Sequence, residues 1–354
     1  MSNKNLFTYF ITFGLLILLS GCDGTSQETG EVRTYYIAAD PVVWNYAPEG
    51  MNMITGEEFS GDDLLRTERG DYYIGTEYKK ALYREYTDET FTELKPRNED
   101  WEHLGFMGPL IRAEVGDTIR IVFKNNVHFP TSMHPHGVFY EKDSEGAPYN
   151  DGTGDDQKVD DYVQPGETHT YTWNVPERAG PPPGGLSSAF WMYHSHSDEF
   201  RDVNSGLIAP MIITARGMAG ADLRPTDLDR EFVIAFMSTE EAASWYIEEN
   251  VATYMGKPED ITYRRGQFLG RIVVTPEGGS LVNHDAMNGF IYGNMPMPQM
   301  KVGERVRWYI MAGTNFELHA PHWHGNVLTA GSMRLDVMEL VTMGMQVADM
   351  VPDD

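Results

Sequence analysis

Beyond residue 32 the apolar positions fall in short runs, β-branched or aromatic, separated by Gly, Pro, Asn and Asp. Residues 118–123 (TIRIVF), 168–175 (THTYTWNV), 207–214 (LIAPMIIT) and 305–311 (RVRWYIM) show this best. An extended strand turns successive side chains to opposite faces, so runs of this length and composition predict strands of a sandwich. Helical periodicity is weak, and residues 240–255 are the best candidate for a short helix. The expected fold class is all-β, built as two tandem Greek-key β-sandwiches.

The tandem arrangement comes from an internal repeat. Val115-Gly116-Asp117-Thr118-Ile119-Arg120 matches Val302-Gly303-Glu304-Arg305-Val306-Arg307. Each copy leads on to a histidine motif, His134-Pro135-His136-Gly137 in the first and His322-Trp323-His324-Gly325 in the second. Two copies of one sandwich explain both matches. The expected domains are 33–216 and 225–354, divided where residues 217–224 (GMAGADLR) interrupt the strand pattern. The tract 178–185 (RAGPPPGG) reads as a loop inside the first copy.

Charge and cysteine content narrow the chemistry. The 354 residues hold 53 Asp and Glu against 27 Lys and Arg, a formal charge of −26. A nucleic-acid partner wants a basic face, so none is expected. The single cysteine excludes an intrachain disulfide and any multi-cysteine zinc or iron–sulfur site. That cysteine, Cys22, follows a short apolar run at residues 6–19 (LFTYFITFGLLILL) and the small residues Ser20-Gly21. The run is shorter than the roughly 20 residues that span a bilayer. It resembles a bacterial lipoprotein signal over residues 1–22, with lipid attached at Cys22 and residues 23–32 as a flexible tether. The protein is then expected to be exported, to the periplasmic or cell-surface side of a bacterial membrane.

Histidine placement carries the strongest signal. Eleven histidines scattered at random in a chain of this length would give about 0.3 His-x-His pairs. Three occur, His134/His136, His194/His196 and His322/His324, with His319 just ahead of the last. Residues i and i+2 of a strand share a face, so each pair would present two imidazoles together. Clustered neutral imidazoles without thiolates suit copper, zinc, nickel or iron, and copper leads the affinity order. His103, His128, His169 and His284 lack such partners and read as structural.

With these motifs, and with residues 35–39 (YYIAA), 44–48 (WNYAP), 78–83 (YKKALY), 105–111 (GFMGPLI), 145–147 (EGA), 193–196 (YHSH) and 205–208 (SGLI), the chain resembles a two-domain multicopper oxidase of the ceruloplasmin-like branch. The resemblance implies cupredoxin domains, a type 1 copper and a trinuclear type 2/type 3 copper cluster between domains. It implies that His134 and His322 hold the type 2 copper, that His136, His194, His196 and His324 hold the type 3 pair, and that His319 is a type 1 ligand. It also implies a homotrimer in which domain 1 of one subunit faces domain 2 of the next. Acidic residues assist proton delivery in such enzymes, but Asp198 and Glu199 read as a solvated charged loop, and Glu317 as a strand-surface carboxylate.

Two departures stand out. Where a domain with its own type 1 copper has cysteine between the second pair of histidines, this chain has Ser195, whose hydroxyl cannot replace the soft thiolate. The closing His-Cys-His of the second domain is also missing. Pro352 matches Pro176, which would place that motif near position ~370. The second domain is therefore expected to be C-terminally incomplete, and the chain inactive as an oxidase alone. Three readings remain. The first is a copper oxidase taking electrons from iron(II), copper(I) or a phenol and reducing oxygen to water. The second is a non-catalytic copper-binding cupredoxin lipoprotein. A copper nitrite reductase is disfavoured by Ser195 and by the intact His319/His322/His324 group.

Overall fold

The computed structural model describes residues 30–353, apart from 267–270, 277, 279–281 and 316. Cys22 and the leader lie outside the described residues. The first half of the chain forms β1 (Val32–Asn45), β2 (Glu77–Tyr86), β3 (Ile111–Glu114), β4 (Thr118–Asn125), β5 (His134–Pro135), β6 (Phe139–Tyr140), β7 (Thr168–Asn174), β8 (Ser188–His194) and β9 (Ile208–Thr214), with short helices α1 (Leu64–Thr67) and α2 (Glu199–Ser205). The second half forms β10 (Arg230–Glu240), α3 (Ile247–Tyr254), β11 (Thr262–Arg265), β12 (Arg271–Val274), β13 (Asn283–Met287), β14 (Val306–Ala312), β15 (Leu318–His319), β16 (Leu328–Ala330), β17 (Met333–Leu335), β18 (Leu340–Val341) and β19 (Met345–Met350).

The four strand runs expected from sequence all form, as β4, β7, β9 and β14. The expected helix over 240–255 is shorter. Its first residue still belongs to β10, where Glu240 pairs with Asn283, and only Ile247–Tyr254 is α-helical.

The repeat is visible in the pairing. In the first half β1 runs antiparallel to β2 and parallel to β4, which pairs antiparallel with β7. In the second half β10 pairs in the same way with β13 and β14, and β14 with β19.

Three layers result. The five-stranded sheet β2-β1-β4-β7-β6 faces the four-stranded sheet β3-β9-β8-β5 across a core that includes Ile121, Phe123, Tyr171, Trp173, Met211 and Ile213. The far side of β8 and β9 is not exposed. Phe190, Met192, Ile208 and Ile212 lie there against Val233, Ala235, Tyr309 and Met311 of the six-stranded sheet β13-β10-β14-β19-β16-β17. Every residue of β9 is buried, so its sequence is a continuous apolar run without alternation. Each such side chain contributes roughly 1.5–3 kcal/mol relative to exposure.

A buried polar network fixes how the two halves meet. Arg112 and Glu231 pair at 2.7 Å, Tyr309 donates to Glu231 at 2.7 Å, and Arg307 donates to Ser187 and Ser188 at 2.7 and 2.8 Å. Each charge is compensated, which a desolvated ion requires.

Candidate metal centre

The first two histidine pairs meet through strand register. β5 pairs antiparallel with β8 so that His134 lies opposite His194. Residues opposite each other in a ladder bring their side chains together. One residue beyond β5, His136 N–H donates to the Met192 carbonyl at 2.9 Å. His196 lies past the end of β8. The imidazoles therefore converge by pairing between two short strands and the turns that leave them, and not by alternation along one long strand. Ring centroids lie 5.4 Å apart for His134/His136, 5.7 Å for His134/His194, 5.2 Å for both His134/His196 and His136/His194, and 5.5 Å for His194/His196.

Backbone carbonyls orient the rings. His134 Nδ1 lies 2.7 Å from the Glu145 carbonyl and His194 Nδ1 lies 3.1 Å from that of Ser195. A carbonyl only accepts, so Nδ1 carries the proton in both rings and each Nε2 keeps a free lone pair. The His194 Nε2 lone pair faces His136 Nε2 at 3.1 Å. Either a proton on His136 or a cation must occupy that gap, so this donor set fits a metal ion in chemistry. Burial, reinforced by the neighbouring rings, lowers His136 to about 4 and holds His194 well below its ordinary value. Burial also lowers His134. Neutral imidazoles are the form that ligates metal. Among the described residues no group of three or more His, Cys, Asp or Glu side chains is placed so that it could hold a metal ion as it stands. The His134 ring contacts each of the other three.

Gly137 closes the first motif with φ +79°, and a Cβ there would lie 2.2 Å from the Trp191 indole. Only glycine lets the chain pass so close. Gly325 closes the third motif at φ +72°, with open space around it.

The second histidine group has the same local build in a different setting. His319 ends β15 opposite Leu340 of β18, and its ring lies 5.9 Å from that of Phe236. The His322 and His324 rings are 5.0 Å apart, and His322 Nδ1 lies 3.0 Å from the Asp336 carbonyl, as His134 does from that of Glu145. His322 and His324 are exposed and His319 is half-buried. Among the described residues no ring contact joins this group to the first four.

The remaining histidines have structural surroundings. His103 Nε2 accepts from Val233 N–H, His169 Nε2 lies 2.9 Å from the Asp143 carbonyl, His128 packs on Phe129 and Tyr246, and His284 is buried against Tyr46 and Tyr78. The acidic neighbours Glu199 and Glu317 are more than a third exposed, yet each lies within reach of a histidine. Glu199 opens α2 and places a carboxylate oxygen 3.4 Å from His196 Nε2, and Glu317 lies 3.5 Å from His319 Nε2. Sequence reasoning missed Ser132, Asp202 and Trp245, whose polar atoms surround the second motif. No charge or spacing signal marks them.

Comparisons with known proteins agree with this build. Residues 103–218 match the profile of the family described as Multicopper oxidase. The chain is 41% identical over 340 residues to "Ferroxidase HEPHL1" of Homo sapiens, covering 95% of this chain and 28% of the relative. It is 38% identical over 326 residues to ceruloplasmin of Rattus norvegicus, covering 91% of this chain and 30% of the relative. The chain thus spans less than a third of the length of these curated relatives. Among solved structures, the multicopper oxidase mgLAC superimposes with a TM-score of 0.53 at 16% identity, over 92% of this chain and 77% of that one, a likeness of fold. Residues 103–218 thus match the multicopper oxidase family, and the chain as a whole is similar to Ferroxidase HEPHL1, hephaestin and ceruloplasmin.

Proposed function

We propose that this chain is part of a copper-dependent oxidase that takes single electrons from a reduced metal ion, iron(II) or copper(I), and passes them to oxygen, forming water. The observation that carries this reading is the convergence of four imidazoles, His134, His136, His194 and His196, three of which (His134, His136 and His194) burial lowers in basicity. Copper, when bound there, supplies the one-electron redox chemistry and the place where oxygen is reduced. The chain's own residues do the rest. The Glu145 and Ser195 carbonyls hold two rings with Nε2 free, burial favours the neutral form of His134, His136 and His194, and Glu199 stands beside His196 as a carboxylate that can hold a proton. The ferroxidase named among the relatives supports a metal ion as reductant over a phenol.

His322 and His324 would complete the cluster from the second domain. They are exposed, and Leu318, Val327 and Val341 beside them are exposed as well. Apolar surface of this kind around ligand-type residues suits burial against another copy, as in a homotrimer. The leader ending at Cys22 supports export and lipid anchoring at a cell surface.

The only cysteine of the 354 residues is Cys22, so residues 30–353 hold no thiolate for His319 to share a type 1 copper with, and these residues alone are expected to bind copper without turnover. The test counts copper bound per chain and follows oxygen uptake with iron(II), comparing the unaltered protein with His194→Ala. Copper binding lost in the variant supports a copper site at the cluster, and equal copper binding by both proteins overturns it. Oxygen uptake that requires iron(II) and copper would show oxidase activity already in this chain, and copper binding without uptake agrees with its being inactive alone.

A further inference from the structure

Ser195 stands where a cysteine would sit in a domain with its own blue copper, yet it is not a vacant remnant. Its hydroxyl donates to Asp202 Oδ2 at 2.6 Å and accepts from Ser132 N–H at 3.0 Å. Ser132 Oγ in turn accepts from His196 N–H at 2.9 Å and donates to the Gly146 carbonyl at 2.7 Å. The two serines thus bind each other's chain segments reciprocally. One lies two residues before His134, and the other lies between His194 and His196.

Asp202 is the hub. It is fully buried in α2 and accepts from Ser195 Oγ–H, from Asp198 N–H at 2.9 Å and from Trp245 Nε1–H at 2.8 Å. Three donors satisfy the carboxylate, but among the described residues no cation pairs with it. Burial accordingly pushes Asp202 up to about 7 despite the hydrogen bonds. Stability alone would be served better by an apolar or amide side chain here. Trp245 belongs to the second half and is held on both faces. Phe129 stacks on it at 4.7 Å and 12°, and the Arg201 guanidinium lies 3.3 Å from its ring centroid. Ser205, at the end of α2, accepts from Trp245 N–H at 2.9 Å.

We infer that Asp202 is a positioning residue for the histidine cluster. Acting through the hydroxyls of Ser195 and Ser132, its carboxylate sets the backbone of both His-x-His motifs and ties that geometry to Trp245 of the other half. The inference rests on the reading that these histidines bind copper. Groups that orient metal-ligating side chains typically change affinity by about 10–100-fold when removed.

The test uses Asp202→Asn and Ser195→Ala with copper(II) as the probe. An amide at 202 must turn its NH2 toward one of the three donors, and alanine at 195 removes the link while keeping the carboxylate. Each variant is expected to bind copper(II) about 10–100-fold more weakly, with an altered nitrogen hyperfine pattern in its EPR spectrum. The Ser132 and His196 amides of the metal-free variants should exchange hydrogen faster, while the midpoint of thermal unfolding moves little. Affinity within about threefold of the unaltered protein, with an unchanged spectrum and unchanged exchange, would overturn the inference. Should Asp202→Asn fail to fold, Ser195→Ala decides alone. Should the unaltered protein bind no copper(II), the copper reading fails, and amide exchange at Ser132 and His196 still decides whether Asp202 sets these segments.

Discussion

The two halves carry the same histidine motif in opposite settings. His134 and His322 both direct Nδ1 at a backbone carbonyl, and both motifs end in a glycine of positive φ. What differs is the surroundings. The first pair lies against β8, part of a sheet covered on both sides, and joins His194, which is 1% exposed. The second lies beside the two-residue ladder β15–β18, with the His322 side chain 36% exposed. Local sequence thus sets ring orientation in both halves, while desolvation, which depresses basicity, follows from what lies above the motif.

The sharpest way to break this comparison is to delete one ring from each group. His194→Ala is expected to weaken copper binding more than ~100-fold, beyond what loss of an orienting group costs, and His322→Ala less than ~10-fold, both read by competition titration. The glycines come next. Gly137→Ala must accept both a positive φ and a clash with the Trp191 indole, so denaturant unfolding should show a loss of about 3 kcal/mol or more. Gly325→Ala meets open space and bears only the left-handed strain, about 1 kcal/mol.

Acid should act on the buried group. His136 is lowered from 6.5 to about 4 in the folded protein, so between those values the unfolded chain binds more protons. Stability therefore declines as pH falls from about 6.5 toward 4, and the His136 ring, followed by NMR, should titrate near 4. His103, lowered by burial to about 4, adds to the same decline. The smallest effect is expected at the exposed pair. Asp336→Ala removes a carboxylate 3.5 Å from His322, and exposed pairs of this kind contribute less than ~1 kcal/mol in equilibrium unfolding.

Much of the site could be read before any coordinates. Three His-x-His motifs against an expectation of less than one, and their place in a repeat, marked the ligand-type residues. Other features could not be read, for identifiable reasons. The helix expected over 240–255 lost its first residue to β10 because pairing with β13 lies far along the chain. Glu199, though partly exposed, lies beside His196 because α2 begins directly after the second motif. Asp202 carries no motif, and its role depends on Ser195, Ser132 and Trp245, of which Trp245 lies in the other half of the chain.

Sequence alone determined which residue types recur and at what spacing. It thereby decided strands over helices, a repeated half, paired imidazoles, and a single cysteine, Cys22, ahead of the repeat in the chain. Those properties are local, written in alternation, turn residues and motif spacing. Only the tertiary structure decided that His134 lies opposite His194, that β8 and β9 are buried on both faces, and that His194 loses its water while His322 and His324 keep theirs. Register and burial depend on contacts between segments far apart in the chain, and these set which rings meet and how basic they are.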